Sequence, residues 1–163
     1  IATPYDDRIS ECNTRLNSTY IAYGAQGREK QRNQIAQDEN ARKVSKENYA
    51  SRAISKSKAV YENSSWDLVD SYNKDKNVVS TLKKEELPKE LQNKSEQEIE
   101  VVIAQKQKER NDIQKEIADL AKKRQDYIDT EMKKENNDSD DLSKAINESI
   151  LALSKAKGYT IEK

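Results

Sequence analysis

The side chains of this chain that could do chemistry are one cysteine and a large, scattered set of carboxylates and amines, with no histidine. Lacking histidine, the chain has no HExxH zinc site, no Ser-His-Asp triad and no usual general base near neutral pH. Cys12 is alone, which removes an intramolecular disulfide and a CxxC metal site. Its place on an apolar helix face predicts buried filler rather than a nucleophile. The segment Gly24-Ala25-Gln26-Gly27-Arg28-Glu29-Lys30 faintly suggests a phosphate loop, but its spacing departs from GxxxxGK followed by Ser or Thr, and no buried strand precedes it. Glu135-Asn136-Asn137-Asp138-Ser139-Asp140-Asp141 invites a calcium reading. An EF-hand loop needs a central Gly, so this stretch predicts a helix break, with Asp138 or Ser139 capping a last helix. Asp119 with Lys123 and Asp129 with Lys133 stand at the spacing of stabilising helix pairs. Asn-x-Ser/Thr triplets such as Asn17-Ser18-Thr19 and Asn63-Ser64-Ser65 carry little weight in a chain so rich in Asn and Ser. A carboxylate-only hydrolase would need two acids converging in a cleft with raised pKa values, and the sequence gives no sign of one. The residues therefore predict no enzyme, no cofactor and no metal.

The elements that hold these side chains are helices. From Glu96 to Lys134 there is no Gly or Pro, and a seam at alternating spacings of four and three runs Ile99, Ile103, Lys106, Arg110, Ile113, Ile117, Leu120, Arg124, Tyr127, Glu131. Such a helix would be about 58 Å long. Ser95 with Glu98 is a capping box that starts it. Lys106, Arg110 and Arg124 stand where a coiled coil wants apolar residues. Their stems lie along a partner while the heads reach water, or they pair with acids and fix register; the first is the expectation. The strongest apolar stretch should run from Ile113 to Leu120.

The rest of the chain supplies partners for this helix. Thr3-Pro4 with Asp6 and Asp7 predicts the start of a first helix, which presents Tyr5, Ile9, Cys12, Leu16 and Tyr20 on one face and ends near Tyr20, before Gly24 and Gly27. Ile21 and Tyr23 are expected to pack over a helix end rather than form a strand. A second stretch, 28–61, also lacks Gly and Pro and predicts a long helix with a diluted stripe of small residues. It would match the 96–134 helix in length and pair with it antiparallel. Ser64 or Ser65 should cap a short helix presenting Trp66, Leu68, Val69 and Tyr72, a plug where the helices meet. Leu82, Leu87 and Leu91 around Pro88 predict a bent connector. Leu142, Ala145, Ile146, Ile150 and Leu153 mark the last helix, with Gly158 as its cap and Tyr159 and Ile161 folding back. The expected architecture is all-α: an elongated bundle or hairpin built on 28–61 and 96–134, with shorter terminal helices, in a single domain over 1–163.

Composition narrows the function classes. Hydrophobic residues make up 33% and charged residues 37%, with no Phe, so narrow helix seams rather than a thick core are expected. Thirty basic and thirty acidic residues balance, which offers nothing to nucleic acid or an anionic membrane. No apolar run approaches a membrane span and no signal peptide is visible. The chain opens on Ile1 rather than Met and is expected to be a piece of a longer protein. The candidates for protein contact are Trp66, Leu68, Tyr72, Ile113, Ile117, Leu120 and Tyr127.

Five segments carry a resemblance: Ile1-Ala2-Thr3-Pro4-Tyr5-Asp6-Asp7, Leu16-Asn17-Ser18-Thr19-Tyr20-Ile21-Ala22-Tyr23-Gly24, Gln37-Asp38-Glu39-Asn40-Ala41, Ser64-Ser65-Trp66-Asp67-Leu68-Val69-Asp70 and Glu86-Leu87-Pro88-Lys89-Glu90-Leu91. Together they resemble the C-terminal helical region of bacterial envelope proteins that carry a von Willebrand factor type A domain. In that family the Thr-Pro-Tyr-Asp segment follows the A domain, which implies that residues 1–5 are the tail of a linker. The family's metal site needs DxSxS, which does not occur here, so it maps onto no residue of this chain. The resemblance implies a periplasmic or cell-envelope, non-enzymatic module beside a ligand-binding domain. Its partner would be an unidentified protein, the A domain of its own chain, or a second copy in a homodimer; the alternative role is a self-associating coiled-coil assembly element.

Overall fold

Ser95 and Glu98 form the capping box their spacing predicts: the Ser95 hydroxyl accepts from the Glu98 N–H at 3.2 Å and the Glu98 carboxylate from the Ser95 N–H at 3.1 Å. From this start the computed structural model carries one helix to residue 156, the last of the residues it describes (1–156, with side chains to Leu153). The order is α1 (Asp6–Asn17), α2 (Gly27–Val44), α3 (Lys46–Ser57), α4 (Leu68–Lys74), α5 (Val78–Thr81), a 3-10 turn (Lys84–Glu86) and α6 (Glu96–Ala156). The class is all-α, with no strand among the described residues beyond one isolated bridge, Ala22 to Asp67. The chain divides into two units, Ile1–Arg124 and Gln125–Lys163.

Four expectations about the helices need correction, three of them from α2 onward. The stretch 28–61 is not one rod: it breaks at Ser45, whose extended backbone lets its hydroxyl accept from the Asn48 N–H at 3.0 Å and cap α3. A local cap with Glu47 in the next turn competes with helix continuation there. α2 and α3 then fold back on one another, with Arg42 over the Tyr49 ring and Arg52 on Asp38, so the length-matched pairing of 28–61 with 96–134 does not form. Second, α6 does not stop at Lys134. Asn, Asp and Ser each cost only about 0.5 kcal/mol relative to good helix formers, and without Gly or Pro nothing breaks the ladder across 135–141. Third, α4 is capped by Asp67, which accepts from the Asp70 N–H at 3.1 Å, and not by Ser64 or Ser65. The expectations at Gly158, Tyr159 and Ile161 fall outside the described residues.

α1 also ends earlier than expected, at Asn17, and the chain then makes one isolated antiparallel bridge, Ala22 to Asp67, in the extended segment around Ala22. Gly24 turns it into α2 with φ +79°, a left-handed conformation that disfavours a side chain. The small residues of α3 do admit a close helix, but that helix is α1: Ile9 packs on Ala50 and Ala53. A second cluster sets Cys12, Leu16, Tyr20 and Trp66 against Ile113 and Ile117. A third sets Ile21, Leu68, Val69, Leu87 and Leu91 against Ile99 and Ile103. The apolar seam of α6 up to Leu120 is thus covered within the chain.

Candidate functional site

Arg110 divides the two apolar blocks of α6, and its surroundings are one of two charged clusters in the interior. It is 2% exposed, which overturns the expectation that its head reaches water. Its Nη1 donates to Asp67 Oδ2 at 2.8 Å and Asp70 Oδ1 at 3.0 Å; Nε and Nη2 donate to the Thr19 hydroxyl and carbonyl, each at 2.9 Å. A guanidinium five donors wide can satisfy this many acceptors at once, whereas leaving any of them dry would be costly. Burial opposes its charge, but the hydrogen bond and charge of Asp67 outweigh that and raise its pKa. Asp70, partly buried beside Asp67, is pushed the other way, above the usual carboxylate range, chiefly by burial.

Asp67 is the hub. Fully buried, it caps α4, accepts from the Ile21 N–H at 2.9 Å and holds Arg110, so one carboxylate ties the extended segment, α4 and α6 together. Backbone bonds from Leu68 N–H to Ile21 O (2.8 Å) and Tyr23 N–H to Trp66 O (2.9 Å) complete the junction.

A second buried cluster joins α1, α2 and α3 through pairs four residues apart, which helix geometry puts on one face. Lys56 donates to Asp38 Oδ2 at 2.8 Å, to Asn13 Oδ1 at 3.0 Å and to Asn17 Oδ1. Arg52 donates to Asp38 Oδ1 at 2.8 Å, and Asn13 to the Tyr49 hydroxyl at 2.9 Å. Burial raises the Asp38 pKa, but Lys56, Asn17 and Arg52 together carry it below the ordinary range. Burial pulls Lys56 down in spite of Asp38. A lysine with a lowered pKa is the kind that attacks carbonyls, but the Lys56 side chain has no exposure and its three donors are all engaged. Tyr20 lies between the clusters, with the Arg110 guanidinium 4.3 Å and the Lys56 ammonium 5.9 Å from its ring centre and Trp66 tilted at 5.5 Å. Burial pushes its phenol well above the usual range.

The third fastener is Arg124, whose Nε donates to Asp6 at 2.9 Å, again a register pair where a snorkelling head was expected. The Asp6 carboxylate also accepts from the Thr3 hydroxyl at 2.7 Å. These bonds overcome burial and hold Asp6 below the usual range. Lys106 alone keeps the expected form, half-buried with its ammonium 3.7 Å from Glu109.

Of the residues singled out for contact, Trp66, Leu68, Ile113 and Ile117 are buried in the clusters described above. Tyr72 and Leu120 are half-buried against the same clusters, and Tyr127, half-buried, belongs to the second unit. Arg110 interrupts the apolar seam and so shows in the sequence, but its partners Asp67 and Asp70, 40 and more residues away, give no sequence signal. Asp38, Lys56, Asn13 and Asn17 give none either, because polar residues four apart look like any solvated helix face. Comparison with protein-family models, curated proteins and solved structures gives no match.

Proposed function

We propose that this chain is a non-enzymatic helical interaction or spacer module attached to a von Willebrand factor type A domain in the bacterial envelope. The observation that carries this is the use made of its ionisable groups. Asp6, Asp38, Asp67, Lys56, Arg110 and Arg124 are bonded to one another across separate helices, and among the described residues no buried side-chain nitrogen or oxygen lacks a partner. Charges closed in this way hold register rather than meet a substrate, which supports a rigid mount for a neighbouring domain or partner. The envelope location and the A domain rest on the resemblance of the Thr3-Pro4-Tyr5-Asp6 and Ser65-Trp66-Asp67-Leu68 segments.

The test is capture of envelope proteins with the chain as bait, beside light scattering and small-angle X-ray scattering over a wide concentration range. A monomer at all concentrations together with one reproducible envelope partner supports the module. Self-association is the second reading, and one observation favours it: α6 exposes Leu142, Ile146, Ile150 and Leu153 on one side of its last turns. A dimer lost on Ile146→Asp with Ile150→Asp, without loss of the Trp66 signal, would replace the module by an assembly element. Turnover of a generic substrate panel abolished by changing a single carboxylate would overturn both.

A further inference from the structure

A cleft of about 320 Å³ opens between α2 and the loop that runs from α3 into α4. α2 lines it with Lys30, Asn33, Gln34 and Gln37, residues three and four apart that share one helix face. The loop lines it with Tyr61, Asn63, Ser65 and Trp66. A helix face turned toward the rest of a chain normally carries apolar residues. This one carries amides, and no carboxylate or aliphatic side chain lines the cleft.

Gln34 is 5% exposed, and its Oε1 accepts from the Tyr61 hydroxyl at 2.7 Å and from Asn63 Nδ2 at 3.4 Å. Its Nε2 donates to no group among the described residues. Every fully enclosed side-chain nitrogen and oxygen there has a partner, so this Nε2 reaches the cleft. The neighbouring amides are committed in the same one-sided way. Asn63 is fixed by its N–H on Asp70 Oδ2 at 2.9 Å and by its carbonyl, which accepts from Asp67 N–H at 2.7 Å. With Nδ2 spent on Gln34, it keeps Oδ1 as an acceptor. Arg52 occupies Gln37 Oε1 at 3.0 Å and leaves its Nε2 as a donor. Lys30 has no ion pair among the described residues and donates to the Ser65 hydroxyl at 3.4 Å.

We propose that this cleft binds a saccharide, with one sugar ring seated between Gln34 and Asn63. Each sugar hydroxyl both donates and accepts, which matches a lining that offers Gln34 Nε2 and Gln37 Nε2 as donors beside Asn63 Oδ1 as an acceptor. The C–H face of the ring lies against Tyr61 and the accessible edge of Trp66, and Lys30 meets a further oxygen at the rim. An apolar peptide side chain would find no aliphatic floor here, and a strongly anionic ligand would find a single cation. The volume stands at the lower end of small-molecule sites, about 300 to 1,000 Å³, so one ring enters and the rest of a glycan stays outside. This goes beyond the module reading and does not depend on it.

The test is titration of the intact, isotope-labelled chain with glucose, galactose, mannose, N-acetylglucosamine and their disaccharides, each up to its solubility. The readouts are the side-chain amide signals of Gln34 and Gln37 and the emission of Trp66, the single tryptophan. The expected result is that at least one sugar moves all three together. Its affinity falls about tenfold in the deoxy analogue that lacks one bound hydroxyl, as loss of one hydrogen bond implies. Gln34→Ala should weaken it as much, but Gln34 is buried, so the deciding variant is Lys30→Ala with Gln37→Ala, both outside the core. That pair should weaken binding about tenfold or more while leaving the helical spectrum unchanged. No response to any sugar, equal binding of every deoxy analogue, or shifts confined to other surfaces would each overturn the proposal. A response to a Gln- and Ser-rich peptide and to no sugar would replace it by a peptide site. Protein capture decides the module reading separately, whatever the sugars do.

Discussion

Replacing Asp67 by alanine should be among the most damaging single changes available in this chain. Its carboxylate accepts from the Ile21 N–H at 2.9 Å, the Asp70 N–H at 3.1 Å and Arg110 Nη1 at 2.8 Å, and it has no exposure. Loss of the helix cap costs about 1 kcal/mol. Orphaning a buried N–H costs about 1 to 3 kcal/mol. Breaking a buried ion pair costs about 3 to 5 kcal/mol, here nearer the lower end because Asp70 remains 3.0 Å from Arg110. The three losses share one carboxylate and do not simply add, so about 4 to 5 kcal/mol is expected against a total of about 5 to 15 for a small domain. The assay is urea unfolding followed by the single tryptophan, Trp66, whose ring lies 5.5 Å from Tyr20 beside this junction. At a slope of about 2 kcal/mol per molar urea, the midpoint should fall by about 2 M. Arg110→Met alone should also be costly, since it leaves Asp67 buried without its cation, whereas Asp67→Ala with Arg110→Met should cost clearly less than the two single changes summed. A coupling energy within about 0.5 kcal/mol of zero would refute the account of Asp67 and Arg110 as a desolvated pair.

In the α1–α2–α3 cluster, Asp38→Ala should destabilise by about 3 kcal/mol and more than Lys56→Met, because Asp38 keeps Arg52 when Lys56 is lost while Lys56 keeps no anion when Asp38 is lost; equal costs in urea unfolding would count against it. The same carboxylate gives a pH dependence. Held below its ordinary 3.8 in the folded chain, Asp38 contributes stability that is complete above that value and is lost as pH falls through the folded one. The stability difference between wild type and Asp38→Asn should therefore shrink from about pH 6 to pH 3, and a difference that grows on acidification would contradict the assignment. Gly24→Ala meets no neighbouring atom, yet should cost about 1 kcal/mol through its φ of +79° alone. Ile117→Ala, at a fully buried site between α1 and α6, should cost about 3 kcal/mol, and a midpoint unchanged in urea would place Ile117 outside the core.

What the sequence determined by itself was whatever depends on near neighbours along the chain. The all-α class follows from abundant helix formers and sparse Gly and Pro, and the capping box at Ser95 and Glu98 joins groups three residues apart. The buried Cys12 and the seam from Ile99 to Leu120 follow from periodicity, which reports which side of a helix is apolar. Periodicity does not report what covers that side. The split of 28–61 into α2 and α3, with α1 on the small-residue face of α3 in place of a length-matched pairing with 96–134, was not legible in one dimension, because the break at Ser45 turns on a single local hydrogen bond whose energy is close to that of continuing the helix. Only the tertiary structure decided that Arg110 and Arg124 are register pairs, because the choice between a snorkelling cation and a buried one depends on whether a carboxylate arrives from elsewhere. Asp67 and Asp6 arrive from 43 and 118 residues away. A charge near a seam is visible in one dimension, but the desolvation that makes it matter exists only once the chain has closed around it.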